Sequence, residues 1–502
     1  MKTKTLFLIV ILMLSALWLI AGPKKPTLHL IGDSTMADKP LDDNPERGWG
    51  QVLPLFFSQD IQIINYAKNG RSTKSFLREG LWDKVKSNLK EGDFVFIQLG
   101  HNDAKETDTT RFAAPHTDYR HNLLRFITES REKEAVPVLI TPVNRRKFEP
   151  ETSEFIDQHG EYPAVVRELA MQYDLPLIDL HQSSLNYFQY LGPEKSELLF
   201  LRAPAGVYKF YPEGKSDNTH FNRQGALEIA RLVIEGMKAI NLPLVKYLKK
   251  APELSNIGSG KVVGLDYYYN HEYKKGQPYH YIWEDRENSG FYELGNLFEN
   301  NDAFICHMDS APTTETLSKL SLYIIVDPDT PKETEKPNTI TLQDADIIEN
   351  WVKEGGLLLM MSNDSGNAEF EHFNWLAERF GLHFKEVSLN RVEAKNYDMA
   401  KFINLPDHPI FNNISKIYMK EISTLELSGK AQAILKKDSE TVIALSKIGR
   451  GMVVAVGDPW LYNEYIDNRR LPDSFENWQA AQNLVKWLLE NAPVVRDVGK
   501  TK

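Results

Sequence analysis

Between residues 27 and 241, short apolar runs alternate with stretches whose apolar positions recur at helical intervals. Residues 28–31, 61–64, 94–99, 138–141 and 177–180 are apolar almost throughout, as expected of strands covered on both faces. Residues 75–89, 119–134, 162–173 and 223–240 carry amphipathic, helix-like patterns. Five strands with helices between them predict an α/β, doubly wound parallel sheet, which takes its ligands beyond the carboxyl ends of the strands.

After Asn241-Leu242-Pro243, residues 249–260 are rich in Gly, Ser and Pro and read as a linker. A second alternating pattern follows. Strand-like runs at 262–265, 322–326 and 357–361, helix-like stretches at 343–353 and 373–380, a hairpin at 441–445 and 452–456, and a closing helix near 475–489 predict a second α/β domain. The expected organisation is therefore a first domain over 23–248, the linker 249–260 and a second domain over 261–495.

Composition narrows the options. The formal net charge of −10 leaves no broad basic field for nucleic acid. Cys306 is the single cysteine, so an internal disulfide is excluded and stability must come from core burial. The first residues run from Lys2 and Lys4 into an apolar stretch over 6–20 that closes on Ala21-Gly22-Pro23. This is the pattern of a secretory leader over 1–22, either cleaved or kept as an anchor. It predicts export, to the periplasm of a bacterium, with no membrane association beyond the leader.

The candidate chemistry lies at the predicted strand ends. Ile31-Gly32-Asp33-Ser34 places a serine on a turn directly after the first strand. A serine hydroxyl is a weak nucleophile and needs a base, itself oriented by an acid. Asp217-Asn218-Thr219-His220 supplies both, three residues apart, on one helical turn or tight loop. Asn65-Tyr66-Ala67-Lys68-Asn69-Gly70 follows the second strand, and Gly100-His101-Asn102-Asp103 the third. The backbone N–H groups of Ser34 and Gly70 and the Asn102 amide form a candidate oxyanion hole. Asp33 and Asp103 suit turn-holding roles as well as chemistry, and His29, His101 and His181 read as packed, structural groups.

These four segments, in this order, resemble the four blocks of the SGNH (GDSL-type) hydrolases over roughly residues 27–240. Gly70-Arg71-Ser72-Thr73-Lys74-Ser75-Phe76, Gly100-His101-Asn102-Asp103 and Thr141-Pro142-Val143-Asn144-Arg145-Arg146 resemble in particular the rhamnogalacturonan acetylesterases of carbohydrate esterase family 12. The resemblance implies a flavodoxin-like three-layer SGNH domain that removes acetyl groups from pectic sugars. It also implies Ser34 as nucleophile, His220 as base and acid, Asp217 as orienting carboxylate and Ser34, Gly70 and Asn102 as oxyanion donors, with no metal or cofactor called for. Asp38 stands where many members of the superfamily carry glycine.

Lys68, Arg71, Lys74, Arg145 and Arg146 follow strand ends and suit uronate carboxylates, for which arginine offers a planar two-point grip; a solvated basic edge is the alternative. Trp49 suits stacking on a sugar ring or closing the core. The expected partner is an acetylated pectic polysaccharide or oligosaccharide. A lipase or thioesterase on the same scaffold, or a carbohydrate-binding protein with a silent triad, are the competing functions. In the second domain, Glu354-Gly355-Gly356-Leu357-Leu358-Leu359-Met360-Met361-Ser362-Asn363-Asp364 resembles glutamine-amidotransferase-like domains. Cys306 lacks the Gly-x-Cys-x-Gly setting of a nucleophile elbow, so this domain is expected to be non-catalytic and the thiol buried. Tyr267, Tyr268, Tyr269 and Trp283 suit either a carbohydrate platform or packing.

Overall fold

A computed structural model describes residues 25–274 and 276–496, and the expected leader lies outside them. No helix among the described residues is long and apolar enough to cross a membrane. The chain divides into two compact units. The first comprises the described residues up to Lys39, Glu46–Arg202 and Lys215–Ala251; the second comprises Pro40–Pro45, Ala203–Gly214 and everything from Pro252 onward.

The strands of the first stretch of chain are β1 (Thr27–Gly32), β2 (Glu46–Arg47), β3 (Gln62–Asn65), β4 (Phe94–Gln98), β5 (Val136–Ile140), β6 (Leu177–Ile178), β7 (Phe200–Ala203) and β8 (Lys215–Asn222). Five of them form one parallel sheet in the order β3-β1-β4-β5-β6, the flavodoxin-like arrangement. Alternation along the strands explains why they read as continuous apolar runs. Leu28, Leu30, Phe94, Phe96, Val138 and Ile140 enter one core with the helix Arg223–Ala239. Ile31, Val95, Ile97 and Leu139 enter the other, with Phe126 and Val165 from the helices Arg120–Glu132 and Tyr162–Gln172. The strand order changes direction between β1 and β4, which opens a crevice at their carboxyl ends.

Three departures from the sequence pattern have local causes. The helix expected over 75–89 is two helices, Thr73–Arg78 and Leu81–Asn88, because Gly80 adopts a left-handed conformation at φ 69° between them. The helix Leu180–Glu197, kinked at Gly192-Pro193, carries too little apolar periodicity to be read in advance. The residues around Asp217 and His220 form neither a helical turn nor a loop. They lie on β8, which pairs antiparallel with β2 and belongs to a separate three-stranded sheet, β2-β8-β7; its polar, mostly part-exposed sequence carries no strand signal.

The second unit is built on a nine-stranded sheet. Phe304–Met308, Val262–Asp266, Leu322–Val326, Leu357–Met361 and Gly451–Val456 run parallel in that spatial order, and Glu440–Ile448, which precedes the last of them in the chain, pairs antiparallel with it. Two earlier stretches of chain fold with this unit. Asp43 donates its N–H to the Ile305 carbonyl at 3.2 Å and pairs with Arg496 at 2.6 Å, while the Tyr208 ring packs edge-on against Phe304, 5.3 Å between centroids. A single cut in the 249–260 linker leaves these stretches on the first-domain side.

The helix that follows β8 is positioned by a close backbone approach. Asn222 caps it by accepting the Gly225 N–H at 2.9 Å, and a Cβ on Gly225 would stand 1.9 Å from the Leu199 carbonyl oxygen. Alanine is the better helix former by ~1 kcal/mol, yet Gly225→Ala is expected to lower stability by about 1–3 kcal/mol because the backbones must separate. Urea unfolding of the two proteins measures the sign, and a stabilised variant would contradict the close approach.

Candidate active site

Ser34 sits on the turn that leaves β1. The turn is closed by the Met36 and Ala37 N–H groups on the Asp33 carbonyl, at 3.2 and 3.0 Å. The Asp33 side chain is fully buried; one oxygen accepts the Thr35 N–H and hydroxyl, at 2.9 and 2.8 Å, and the other meets His101 Nδ1 at 2.9 Å. Burial alone would raise this carboxyl, but the charge and hydrogen bond of His101, with the Thr35 bonds, outweigh it and hold the group down at about 2. Asp33 therefore holds the turn, and Ser34 is its partly exposed residue.

His220 reaches the serine from β8. Its Nε2 lies 2.8 Å from Ser34 Oγ, and its Nδ1 lies 3.0 Å from Asp217 Oδ2. The other Asp217 oxygen accepts the N–H groups of Thr219 and His220, at 2.6 and 2.9 Å, and this bends the strand so that residues three apart face one another. Burial works against the Asp217 charge, but the hydrogen bond and charge of His220 and these backbone donors hold the carboxyl well below its usual range. An ionised Asp217 fixes the ring with its Nδ1 proton inward, leaving Nε2 to accept from the serine.

Arg202, which sequence reasoning missed, braces this strand. Its guanidinium donates to the Asp217 carbonyl, to Asn218 Oδ1 at 2.6 Å and to Glu197 at 2.7 Å. Nothing in the local sequence marks it, since the contact depends on β7 lying beside β8.

Gly70 and Asn102 follow β3 and β4, on the same rim as Ser34. Gly70 has φ 76°, where a Cβ would be strained. Asn102 is buried and spends one amide hydrogen on the Arg71 carbonyl at 3.0 Å, which fixes the direction of the other. Asp103 accepts the Thr73 N–H and hydroxyl at 3.0 and 2.6 Å, joining the third block to the second. Burial, aided by the Asp33 charge, pushes it up to about 7 against the pull of those bonds.

Among the basic residues, Arg71 pairs with Glu79 at 2.8 Å, Lys74 Nζ donates to the Thr109 carbonyl at 2.9 Å and Arg145 donates to the His101 carbonyl at 3.0 Å. Arg146 is tied to Pro193 O and Ser196 Oγ, at 2.5 and 3.1 Å, and its own N–H meets the Asn218 carbonyl at 2.8 Å. Lys68 is exposed. Trp49 corrects the expectation of a sugar-stacking ring: it has no exposed surface. Its indole N–H donates to Gln98 at 2.7 Å, Gln98 donates to the Thr35 hydroxyl at 3.2 Å, and the Trp49 N–H meets the Thr35 carbonyl at 2.9 Å. Trp49 supports the Ser34 turn from beneath.

With this geometry in hand, comparison with known proteins gives a consistent assignment. Residues 30–226 match the GDSL-like lipase/acylhydrolase family. The chain is 40% identical over 226 residues to rhamnogalacturonan acetylesterase RhgT of Bacillus subtilis (strain 168), covering 45% of this chain and 95% of that protein. It is 37% identical over 225 residues to the probable rhamnogalacturonan acetylesterase YesY of the same strain, covering 44% and 97%. Among solved structures it is similar to protein YxiM from Bacillus subtilis, at 27% identity and a TM-score of 0.38, covering 44% of this chain and 58% of that one. The chain belongs to the GDSL-like lipase/acylhydrolase family. It is a carboxylic ester hydrolase like the rhamnogalacturonan acetylesterases, the likeness residing in its first half.

The raised Asp103 carboxyl has a measurable consequence. An acid whose folded pKa exceeds its unfolded one binds its proton more tightly when folded, so its contribution to stability declines as pH rises from about 4 to about 7. Asp103→Asn keeps an acceptor for Thr73 and removes the titration. Thermal melts of both proteins across pH 4 to 8 should show the variant gaining on the parent through that window, by a few kcal/mol in all. Parallel curves would contradict it.

Proposed function

We propose that the chain is a serine-dependent carbohydrate O-acetylesterase that releases acetate from acetylated rhamnogalacturonan or a related pectic polymer. One observation carries this reading: a single imidazole within hydrogen-bond reach of both a partly exposed serine and a carboxylate, at 2.8 and 3.0 Å. The names of the relatives at 40% and 37% identity support the substrate class.

Ser34 Oγ attacks the acetyl carbonyl as His220 Nε2 takes its proton. Asp217 stabilises the imidazolium that results. The N–H groups of Ser34 and Gly70 and the Asn102 amide receive the negative oxygen, each donor being worth ~3 kcal/mol of barrier. His220 then returns the proton to the sugar oxygen as the carbon–oxygen bond breaks. Water, deprotonated by His220, releases acetate and restores the serine. Arg71, Lys74, Arg145 and Arg146 line the approach as candidates for uronate carboxylates, though the existing partners of Arg146 suit a bracing role better.

The second unit is read as a non-catalytic, glutamine-amidotransferase-like domain with a binding or architectural role. Cys306 supports the non-catalytic part: it lies within the strand Phe304–Met308, and burial, with the Asp43 and Asp42 charges, pushes its thiol up to about 12. Export to a bacterial periplasm rests on the leader pattern at the start of the chain.

Ser34→Ala and His220→Ala should each cut acetate release from acetylated rhamnogalacturonan by at least about 10⁴-fold while leaving the thermal unfolding midpoint near that of the parent. Asn102→Ala should cost about 10²–10³-fold in kcat. Undiminished turnover by either triad variant would overturn the mechanism. A preference for long-chain acyl esters over acetylated pectin would overturn the substrate.

A further inference from the structure

The segment between β5 and the helix Tyr162–Gln172 brings Asp157 and His159 beside His181, which opens the helix Leu180–Glu197. The three residues each offer a ligand atom, and these atoms lie within 4.8 Å of one another. Asp157 Oδ1 stands 3.0 Å from His181 Nε2 and 3.8 Å from His159 Nδ1. Donors around a tetrahedral zinc ion, with bonds near 2.1 Å, stand ~3.4 Å apart, and the observed separations straddle that value.

His159 supplies the independent observation. It is 3% exposed, and neither ring nitrogen makes a hydrogen bond among the described residues. A buried imidazole without a hydrogen bond is poorly compensated for its lost hydration, the Asp157 carboxylate at 3.8 Å being its polar neighbour, and a metal bond would supply what is missing. The ring is held edge-on between His101 and His181, with centroids 4.8 and 5.7 Å away. His181 is anchored at its backbone, where its N–H meets Thr141 Oγ1 at 2.8 Å and its carbonyl accepts from Asn144 at 2.6 Å. Its Nδ1 lies 3.3 Å from Arg167, whose main attachment is a two-point grip on Asp179 at 2.8 and 3.0 Å; ligation through Nε2 would exchange the 3.0 Å hydrogen bond to Asp157 for a shared metal and give up the longer Arg167 contact.

We propose that Asp157, His159 and His181 bind one divalent transition-metal ion of the zinc type, fastening the loop that carries Arg145 and Arg146 to the helix beginning at Leu180. Two imidazoles and one carboxylate suit zinc and its neighbours Co²⁺, Ni²⁺ and Cu²⁺ better than Mg²⁺ or Ca²⁺, which favour all-oxygen sets. The exposed Asp157 carboxylate leaves the fourth position to water. The site acts on the ester-cleaving residues through position alone. His159 packs on His101, the partner of Asp33, and Arg145 and Arg146 bond to the carbonyls of His101 and Asn218.

Untagged full-length protein, stripped with a chelator and titrated with ZnCl₂ by calorimetry, should bind one equivalent. Zinc at a hundredfold excess over Kd should raise Tm by roughly 5 to 10 °C, and CoCl₂ should give the visible absorption of a four-coordinate Co²⁺ site. His159→Gln and His181→Gln should each abolish the binding and the Tm rise. Asp157→Asn, which alters an exposed side chain, should weaken binding at least about tenfold and covers the case in which a histidine variant fails to fold. The absence of stoichiometric binding by the parent, or binding unchanged in the variants, would overturn the proposal. Because the readouts are binding and melting, the outcome is independent of the assignment of Ser34 and His220.

Discussion

A carboxylate with no access to water must be met by donors, and that requirement at Asp33 governs the first unit's functional end. One oxygen is satisfied within its own turn by Thr35. The other can be satisfied only by a group from outside, and His101, at the end of β4, provides it. The turn after β1 is thereby locked to the turn after β4, across the point where the strand order reverses. The buried Asp33–His101 contact, with the Thr35 bonds, fixes the backbone on which Ser34 stands. The nucleophile candidate faces solvent because the residue before it cannot.

The same principle recurs around the rim. Asp103 ties the second block to the third through Thr73, and Gln98, held by Trp49, supports Thr35 from the sheet side. Arg202 and Arg146 both hold the strand bearing Asp217 by donating to Asn218 Oδ1. Preorganisation here comes from buried polar bonds between segments far apart in sequence, which keeps the hydroxyl, imidazole and carboxylate in register before any substrate arrives.

What the sequence disclosed follows from these physical facts. Strands covered on both faces are apolar at most positions, so β1, β4 and β5 stood out as nearly continuous apolar runs. The serine, glycine and asparagine segments were visible because strand ends of a parallel sheet are where such groups collect, and the Asp-x-x-His segment was visible from its residue types alone. β8 was not visible, since Lys215, Ser216 and Asn218 are polar and exposed and show no apolar alternation. The break at Gly80 depended on a single backbone conformation. Trp49 was ambiguous because an indole can serve a core or a sugar equally well, and only its contact with Gln98 decides. The nearness of Asp157, His159 and His181 arises from a loop folding back on a helix, which no periodicity encodes.

The polypeptide passes between its two units at five points along the chain, at 39/40, 45/46, 202/203, 214/215 and 251/252. The segments of the two units are therefore interleaved along the chain rather than consecutive in it. A stop codon or a protease acting near residue 251 would separate 40–45 and 203–214 from the unit with which they group. It would remove the contacts these segments make with Phe304, Ile305 and Arg496, and the second of them runs directly into the strand that bears Asp217 and His220. For this chain, swapping or deleting the later unit is an operation on the earlier one as well.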